Sequence, residues 1–225
     1  MKTSFKLRLA ILAVGLAVPT AAVSLEAGMR EVPAKEIAVP TAGVSQQERS
    51  VIGAPLPPFW NDHPKDAAEW KALIKMRADQ IVATLPGLRE KLGVKSEQVT
   101  VAGVNCYILT PDNIPEQNRN RLLVHVHGGG YVFGPGESAT REAILMAGFG
   151  KFKVISIDYR MPPDFPYPAA MDDAMAVWKE LAKTNDSKKM AIFGTSTGGG
   201  MTLAMVLRAR TEGLPLPLRA PHGRT

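Results

Sequence analysis

The sequence predicts an α/β fold with a mostly parallel sheet that carries helices on both faces. From residue 122 onward, short apolar strands alternate with helical segments in the order strand, helix, strand, helix, strand, helix. These strands are continuous apolar runs, which is typical of parallel strands that are buried on both faces. With 225 residues, of which 45% are hydrophobic, the chain can bury a sizeable core.

A helical segment opens the folded part of the chain. Asp66 starts an Asp-Ala-Ala-Glu sequence that resembles a capping box, and apolar side chains recur behind it at helical spacing as far as Leu85-Pro86-Gly87. We predict a small N-terminal helical cap at about residues 66–95. The apolar run that follows, 98–109, predicts strand structure in two pieces that are bent at Gly103.

The later elements follow from apolar runs and their spacing. Strands are predicted at residues 122–126, 153–157 and 190–193, and helices at 137–149, 170–181 and 199–211. Asp172 and Asp173 stand in the first turn of the second of these helices, where acidic side chains interact favourably with the helix dipole.

The first 24 residues predict a secretory signal peptide. Residues 1–8 are basic, residues 9–23 form an apolar run, and small residues follow as cleavage sites. Export would place the mature protein in the periplasm or outside the cell without a stable membrane span, and an uncleaved N-terminal membrane anchor is the alternative. Behind this segment we predict a proline-rich, extended lead-in (25–60), a partial α/β domain (61–217) and an irregular tail (218–225).

The charge distribution argues against a nucleic-acid-binding protein, and the cysteine content argues against a disulfide-stabilised fold. The formal charge of +6 is concentrated at the two ends of the chain, and the nearly neutral body argues against nucleic-acid binding. Cys106 is the single cysteine, so the fold does not depend on an intramolecular disulfide. It lies in an apolar run, and we predict a buried strand residue rather than a nucleophile. No pattern indicates a metal site or a cofactor.

A glycine-flanked serine stands between the last predicted strand and the last predicted helix. Residues 194–198 read Gly-Thr-Ser-Thr-Gly, and at such a sharp turn the serine is held in strained backbone geometry with its hydroxyl exposed. The helix N-terminus places N–H groups near developing negative charge. Ser196 is therefore the candidate nucleophile. A phosphate cradle formed by the glycines at 198–200 is the alternative, but a P-loop has a lysine after its glycines, where Met201 stands.

A second glycine run, His-Gly-Gly-Gly at residues 127–130, follows the strand at 122–126. Such a run frees N–H groups to point into a cavity, where they stabilise a tetrahedral oxyanion by about 3–4 kcal/mol per donor. A plain turn is the alternative. His127 adjoins the glycines, so we assign it to shaping the loop rather than to acting as a base. His125 and His63 are predicted to be structural.

Four motifs in order resemble the hormone-sensitive-lipase-like branch of the α/β-hydrolases, whose loop carries the HGGG sequence. They are HGGGY at 127–131, DYR at 158–160, FPYPAAMDDA at 165–174 and GTSTGG at 194–199, and the resemblance covers roughly residues 60–217. It implies an α/β-hydrolase fold and a hydrolase of small-molecule carboxylic esters, with short acyl chains as the expected substrates.

The resemblance also implies roles for the motif residues. Ser196 would be the nucleophile, and the backbone N–H groups of Gly129, Gly130 and Thr197 would form the oxyanion hole, with Gly128 shaping the loop. Elbows in this branch usually read Asp-Ser-Ala, where this chain has Thr-Ser-Thr at 195–197. The change is modest and would tune the pocket without removing the chemistry.

The acid and base of a catalytic triad are not evident. In this fold the chain order is Ser, then Asp or Glu, then His. After Ser196 the only acid is Glu212 and the only histidine is His222, and both are weak candidates. We therefore expect a truncated or frameshifted product, or a fragment of a longer chain. The competing hypothesis is a non-catalytic binding protein on a hydrolase scaffold, or an inactive fragment.

Overall fold

The computed structural model describes residues 38–55 and 62–218. The chain divides into two compact units, Met1–Trp60 and Asn61–Thr225. The predicted signal peptide lies outside the described residues, as does the predicted irregular tail apart from Leu218.

The first unit contains a short helix, α1, at Gln46–Ile52. Its first turn is closed by a capping box, in which the Glu48 N–H donates to Ser45 Oγ at 3.2 Å and the Ser45 N–H donates to Glu48 Oε2 at 2.8 Å. The prediction that residues 25–60 are extended is therefore wrong over these seven residues. The capping box satisfies N–H groups of the first turn, and no proline interrupts residues 41–54.

The second unit begins with two helices, α2 (Ala67–Val82) and α3 (Leu85–Leu92). Asp66 caps α2 as expected, because its carboxylate accepts two N–H groups of the first turn at 2.9 Å. The sequence pattern predicted that this helical segment ends near residues 85–87. Helix α2 ends at Val82, close to this position, and α3 starts at Leu85 inside the predicted cap at 66–95. Pro86 allows this start because it occupies the first turn of α3, where its missing N–H has no intrahelical partner to lose.

Five strands of the described residues form one sheet, in the order β1-β2-β4-β3-β5. Their bounds are β1 Val94–Val101, β2 Val104–Pro111, β3 Leu122–Val126, β4 Lys153–Ile157 and β5 Met190–Phe193. Strand β3 pairs parallel with both β4 and β5, whereas the β1–β2 and β2–β4 pairs are antiparallel. The α/β class is confirmed, and the sheet is mixed rather than mostly parallel.

The antiparallel part follows from a tight turn between β1 and β2. Ala102 and Gly103 both have positive φ angles, of 51° and 81°, as a two-residue hairpin turn requires. The bend predicted at Gly103 is this turn. An apolar run predicts a strand but not its direction, so the hairpin was not apparent from the run itself.

Helices cover both faces of the sheet, as predicted. The remaining helices are α4 (Arg141–Gly150), α5 (Ala169–Thr184) and α6 (Thr197–Thr211). On one face, α3 and α4 bury a core that includes Leu85, Leu109, Ile144 and Val154. On the other face, α5 and α6 bury a second core that includes Val124, Ile157, Trp178 and Met205. Successive residues of β3 and β4 alternate between the two cores, which is the period of a strand.

Several further placements agree with the sequence. Cys106 is fully buried in β2, where burial raises the pKa of its thiol to about 12. Trp178 is also fully buried, and its Nε1–H donates to the Pro215 carbonyl at 3.0 Å, which ties α5 to the segment after α6. Over residues 38–55 and 62–218, no helix has the length and apolar character that a membrane crossing requires.

Candidate active site

The glycine-flanked serine lies in a tight turn between β5 and α6. Ser196 has φ 53° and ψ −125°, a region that residues with a side chain adopt only when the surrounding structure enforces it. The surroundings do so through close backbone contacts. A Cβ atom placed on Gly194 or on Gly198 would lie 2.1 Å from the carbonyl oxygen of Val126, at the end of β3. The two glycines therefore let the turn pack directly against the neighbouring strand.

The second glycine run leaves β3 at the same edge of the sheet. Parallel pairing aligns the ends of β3 and β5, so residues 127–130 and the serine turn emerge side by side. A Cβ atom on Gly128 would lie 2.8 Å from the Thr195 carbonyl oxygen and 3.3 Å from Ser196 Cβ. Gly129 and Gly130 have φ angles of 119° and 67°, which favour glycine. The structure thus brings the predicted oxyanion loop and Ser196 together.

The predicted oxyanion donors differ in whether their N–H groups already have a hydrogen-bond acceptor. The Gly130 N–H donates to Thr197 Oγ1 at 3.2 Å. Within the described part of the chain, no backbone acceptor is hydrogen-bonded to the N–H of Gly129 or of Thr197. The hydroxyl of Tyr131, a residue with φ 60°, donates to the Thr197 carbonyl at 3.4 Å. The loop is therefore joined to the first residue of α6 by two hydrogen bonds.

Ser196 and the glycine loop line a cavity of about 490 Å³. Its walls also include Arg77 and Ile81 of α2, Phe133, and Glu142 of α4. The Arg77 guanidinium lies 4.0 Å from the centre of the Phe133 ring. The helix predicted as a cap therefore supplies one wall of this cavity.

His127 is buried beneath the glycine loop. Its ring stacks on that of Tyr159 at 4.1 Å, and its Nδ1–H donates to the Gly128 carbonyl at 2.8 Å. The Tyr159 hydroxyl donates to the His127 carbonyl at 2.6 Å. These contacts hold the start of the loop, which suits the predicted loop-shaping role. Burial lowers the pKa of His127 to about 4, so the ring is neutral at pH 7.

This pKa predicts a pH dependence of stability. Between pH 6.5 and about 4 the unfolded chain binds a proton at His127 that the folded chain does not, so the free energy of unfolding falls as the pH falls through this window. The full loss is roughly 3 kcal/mol. Urea unfolding at several pH values measures it, and the slope should flatten in His127→Phe. An unchanged slope in that variant would contradict the assignment.

A chain of hydrogen bonds runs from a buried histidine to the serine turn on the other side. His125 is fully buried in β3, with Nδ1 at 2.9 Å from Ser156 Oγ and Nε2 at 3.1 Å from Glu142 Oε2. The same carboxylate oxygen accepts from Thr195 Oγ1 at 3.0 Å. The hydrogen bond from His125 lowers the pKa of Glu142. The burial and hydrogen bonds of His125 suit the structural role that was predicted for it. The sequence carried no signal for Glu142, because its partners are distant along the chain.

Of the two weak triad candidates, Glu212 is the one that the structure describes, and it lies far from Ser196. Glu212 follows the C-terminal end of α6 and pairs with Lys179 and Arg208, each at 2.7 Å. At about 1.5 Å per helical residue it lies some 24 Å along the helix from Ser196. The position of Glu212 therefore argues against its role as the triad acid. His222 lies outside the described residues. Among the residues that are described, no cluster of three or more His, Cys, Asp or Glu side chains suits a metal ion.

Comparisons with known proteins agree with this architecture. A family model for the α/β hydrolase fold matches residues 123–221. The putative acetyl-hydrolase LipR of Mycobacterium tuberculosis is 31% identical over 61% of this chain and 44% of its own length. The arylesterase of Saccharolobus solfataricus is 32% identical over 47% of this chain and 36% of its own. The chain thus spans less than half the length of these curated relatives.

Solved structures give the same answer. The crystal structure of esterase E25 superposes with a TM-score of 0.75 at 33% identity, covering 84% of this chain and 59% of that one. A hormone-sensitive lipase from a metagenome library superposes with a TM-score of 0.51 at 29% identity, covering 68% of this chain and 55% of that one. The described part of the chain therefore has an α/β-hydrolase fold, and hormone-sensitive-lipase-like esterases are among the solved structures that it resembles.

Proposed function

We propose that this chain carries the nucleophile and the oxyanion donors of a carboxylic-ester hydrolase. One observation carries the proposal: the strained Ser196 lies directly against a glycine loop whose N–H groups are held beside it. The cavity that Ser196 lines is also closed on one side by α2. Acetyl-hydrolases, an arylesterase and a carboxylesterase among the relatives support this class of reaction.

The proposed chemistry is acyl transfer to serine. Ser196 Oγ adds to the ester carbonyl carbon while a base takes its proton, and the carbonyl oxygen becomes a tetrahedral oxyanion. The N–H groups of Gly129, Gly130 and Thr197 would stabilise that oxygen. Collapse of the intermediate expels the alcohol, which takes up a proton, and water then releases the acid from the acyl-serine.

The base is the part of the proposal that the described residues do not supply. The rings of His125 and His127 are both buried, and their hydrogen bonds go to Ser156, Glu142 and the Gly128 carbonyl rather than to Ser196. A serine without its base is a weak nucleophile, and the donors alone leave residual catalysis. The proposal therefore concerns the nucleophile and the donors.

Short-chain acyl esters are the proposed substrates. The cavity of about 490 Å³ has apolar wall residues, among them Ile81, Phe133 and Leu145, which suit a small apolar acyl group. Curated relatives that are named acetyl-hydrolases, and an ethyl acetate hydrolase of Pseudomonas putida, act on short acyl groups as their names state.

Ser196→Ala is expected to reduce hydrolysis of p-nitrophenyl acetate and butyrate to the residual rate that the oxyanion donors alone support. The reason is that the variant has no oxygen with which to form the acyl intermediate. A stoichiometric phosphonate ester, followed by intact mass, should label the wild-type chain and not the variant. Ser187→Ala, a serine in the segment between α5 and β5, is the matched control.

Equal rates and equal labelling in the wild type and Ser196→Ala would refute the serine-hydrolase proposal. Saturable binding of an ester without turnover or labelling would favour the binding-protein hypothesis instead.

A further inference from the structure

One of the predicted oxyanion donors is already hydrogen-bonded within the chain. The Gly130 N–H donates to Thr197 Oγ1 at 3.2 Å, whereas no backbone acceptor binds the N–H of Gly129 or Thr197 among the described residues. A backbone N–H has one hydrogen and one favourable direction for an acceptor. The Thr197 hydroxyl oxygen therefore occupies the position from which an oxyanion would accept the Gly130 hydrogen bond.

We propose that the Thr197 hydroxyl is an internal competitor for the oxyanion hole. In the substrate-free chain the hydroxyl accepts the hydrogen bond from the Gly130 N–H. It must rotate away about the Cα–Cβ bond of Thr197 before this N–H can donate to the oxyanion of a tetrahedral intermediate. The proposal rests on the proposed function, since it concerns the same site. It predicts that the hydroxyl lowers the rate of ester hydrolysis rather than raising it.

The alternative is that the hydroxyl itself donates to the oxyanion. Thr197 Oγ1 accepts from Gly130 and keeps one hydrogen that could be donated. That hydrogen sits on a rotatable bond, whereas the Gly130 N–H is fixed by the backbone and needs no reorganisation during the reaction. Replacing a fixed donor by a rotating one weakens the site. The two roles give opposite signs for removal of the hydroxyl, so an experiment separates them.

A second hydrogen bond allows the side chain to be changed without releasing the loop. The Tyr131 hydroxyl donates to the Thr197 backbone carbonyl at 3.4 Å, and this contact does not involve the Thr197 side chain. The close approach of Gly128 to the Thr195 carbonyl also holds the loop against the turn. Removal of the hydroxyl should therefore free the Gly130 N–H while the loop stays in place.

Thr197→Val is the decisive variant, because it keeps the branched shape and removes the hydroxyl. We expect kcat/KM for p-nitrophenyl butyrate to rise about 3- to 10-fold, the worth of one partly exposed hydrogen bond. Thr197→Ser keeps the hydroxyl that accepts from Gly130, so its kcat/KM should lie below that of Thr197→Val. A fall in kcat/KM in Thr197→Val that Thr197→Ser does not share would overturn the proposal in favour of a donating hydroxyl. An unchanged rate would also overturn it.

Amide hydrogen exchange of the wild-type chain, followed by NMR, tests the contact without any turnover. The Gly130 amide should exchange more slowly than that of Gly129, and the difference should disappear in Thr197→Val and persist in Thr197→Ser. Equal exchange of the two amides in the wild type would overturn the proposal by itself, even if the variants fail to fold. Equal activity of the wild type and Ser196→Ala would instead refute the proposed function, and this inference with it.

Discussion

Gly198→Ala is expected to lower the free energy of unfolding by about 3–5 kcal/mol. The added Cβ would lie 2.1 Å from the Val126 carbonyl oxygen and 2.7 Å from that of His127. Both neighbours are backbone atoms at the end of β3 or directly after it, and neither can rotate away. The first turn of α6 would have to leave the sheet, and the geometry around Ser196 would be lost with it.

Gly200→Ala is the matched control for this prediction. It stands two residues further along the same helix, and a Cβ atom there meets nothing within 4 Å. Alanine in a helix interior is favoured over glycine, so this variant should be more stable than the wild type by about 0.5–1 kcal/mol. Urea unfolding of the three proteins measures both effects. Similar small changes in both variants would show that α6 does not approach β3 as closely as described.

Trp178→Ala is expected to destabilise the chain by about 3–5 kcal/mol, because it leaves a large cavity beneath α5. The indole is fully buried in the core between α5, α6 and the sheet, and its Nε1–H donates to the Pro215 carbonyl at 3.0 Å. Trp178→Phe keeps much of the volume and removes the donor, so it should cost less, about 1–3 kcal/mol.

Unfolding monitored by far-UV circular dichroism compares the two tryptophan variants. A loss in Trp178→Ala no larger than that in Trp178→Phe would mean that the hydrogen bond to Pro215 matters more than the filled volume. A loss below about 1 kcal/mol in Trp178→Ala would contradict the packing of α5 on the sheet.

The serine turn was predictable because its signals are local. An apolar strand, a glycine-flanked serine and an apolar helix are contiguous in residues 190–211, and backbone sterics leave few ways to connect them. The glycine loop after β3 was predictable for the same reason. That the two loops lie side by side follows from the parallel pairing of β3 with β5, which places their ends at one edge.

What the sequence did not reveal depends on contacts between distant residues. The Gly130–Thr197 hydrogen bond joins residues 67 positions apart, and the Thr195–Glu142 hydrogen bond joins residues 53 positions apart. A single sequence carries no signal for either pair. The Leu85-Pro86-Gly87 stretch was interpreted as a helix end, although proline is equally suited to a first turn, so α3 was not distinguished from α2 within the predicted cap at 66–95.

The position of β3 has a consequence for the order in which the sheet can assemble during synthesis. Strand β3 lies between β4 and β5, both of which are synthesised after it, and β4 also separates it from the earlier β1–β2 hairpin. On the ribosome, the hairpin and β3 therefore cannot share a sheet until residue 157 has emerged. The other edge of β3 can pair only after residues 190–193, which form β5, have also emerged. The turn that holds Ser196 thus takes its place only after every other strand of this sheet is available.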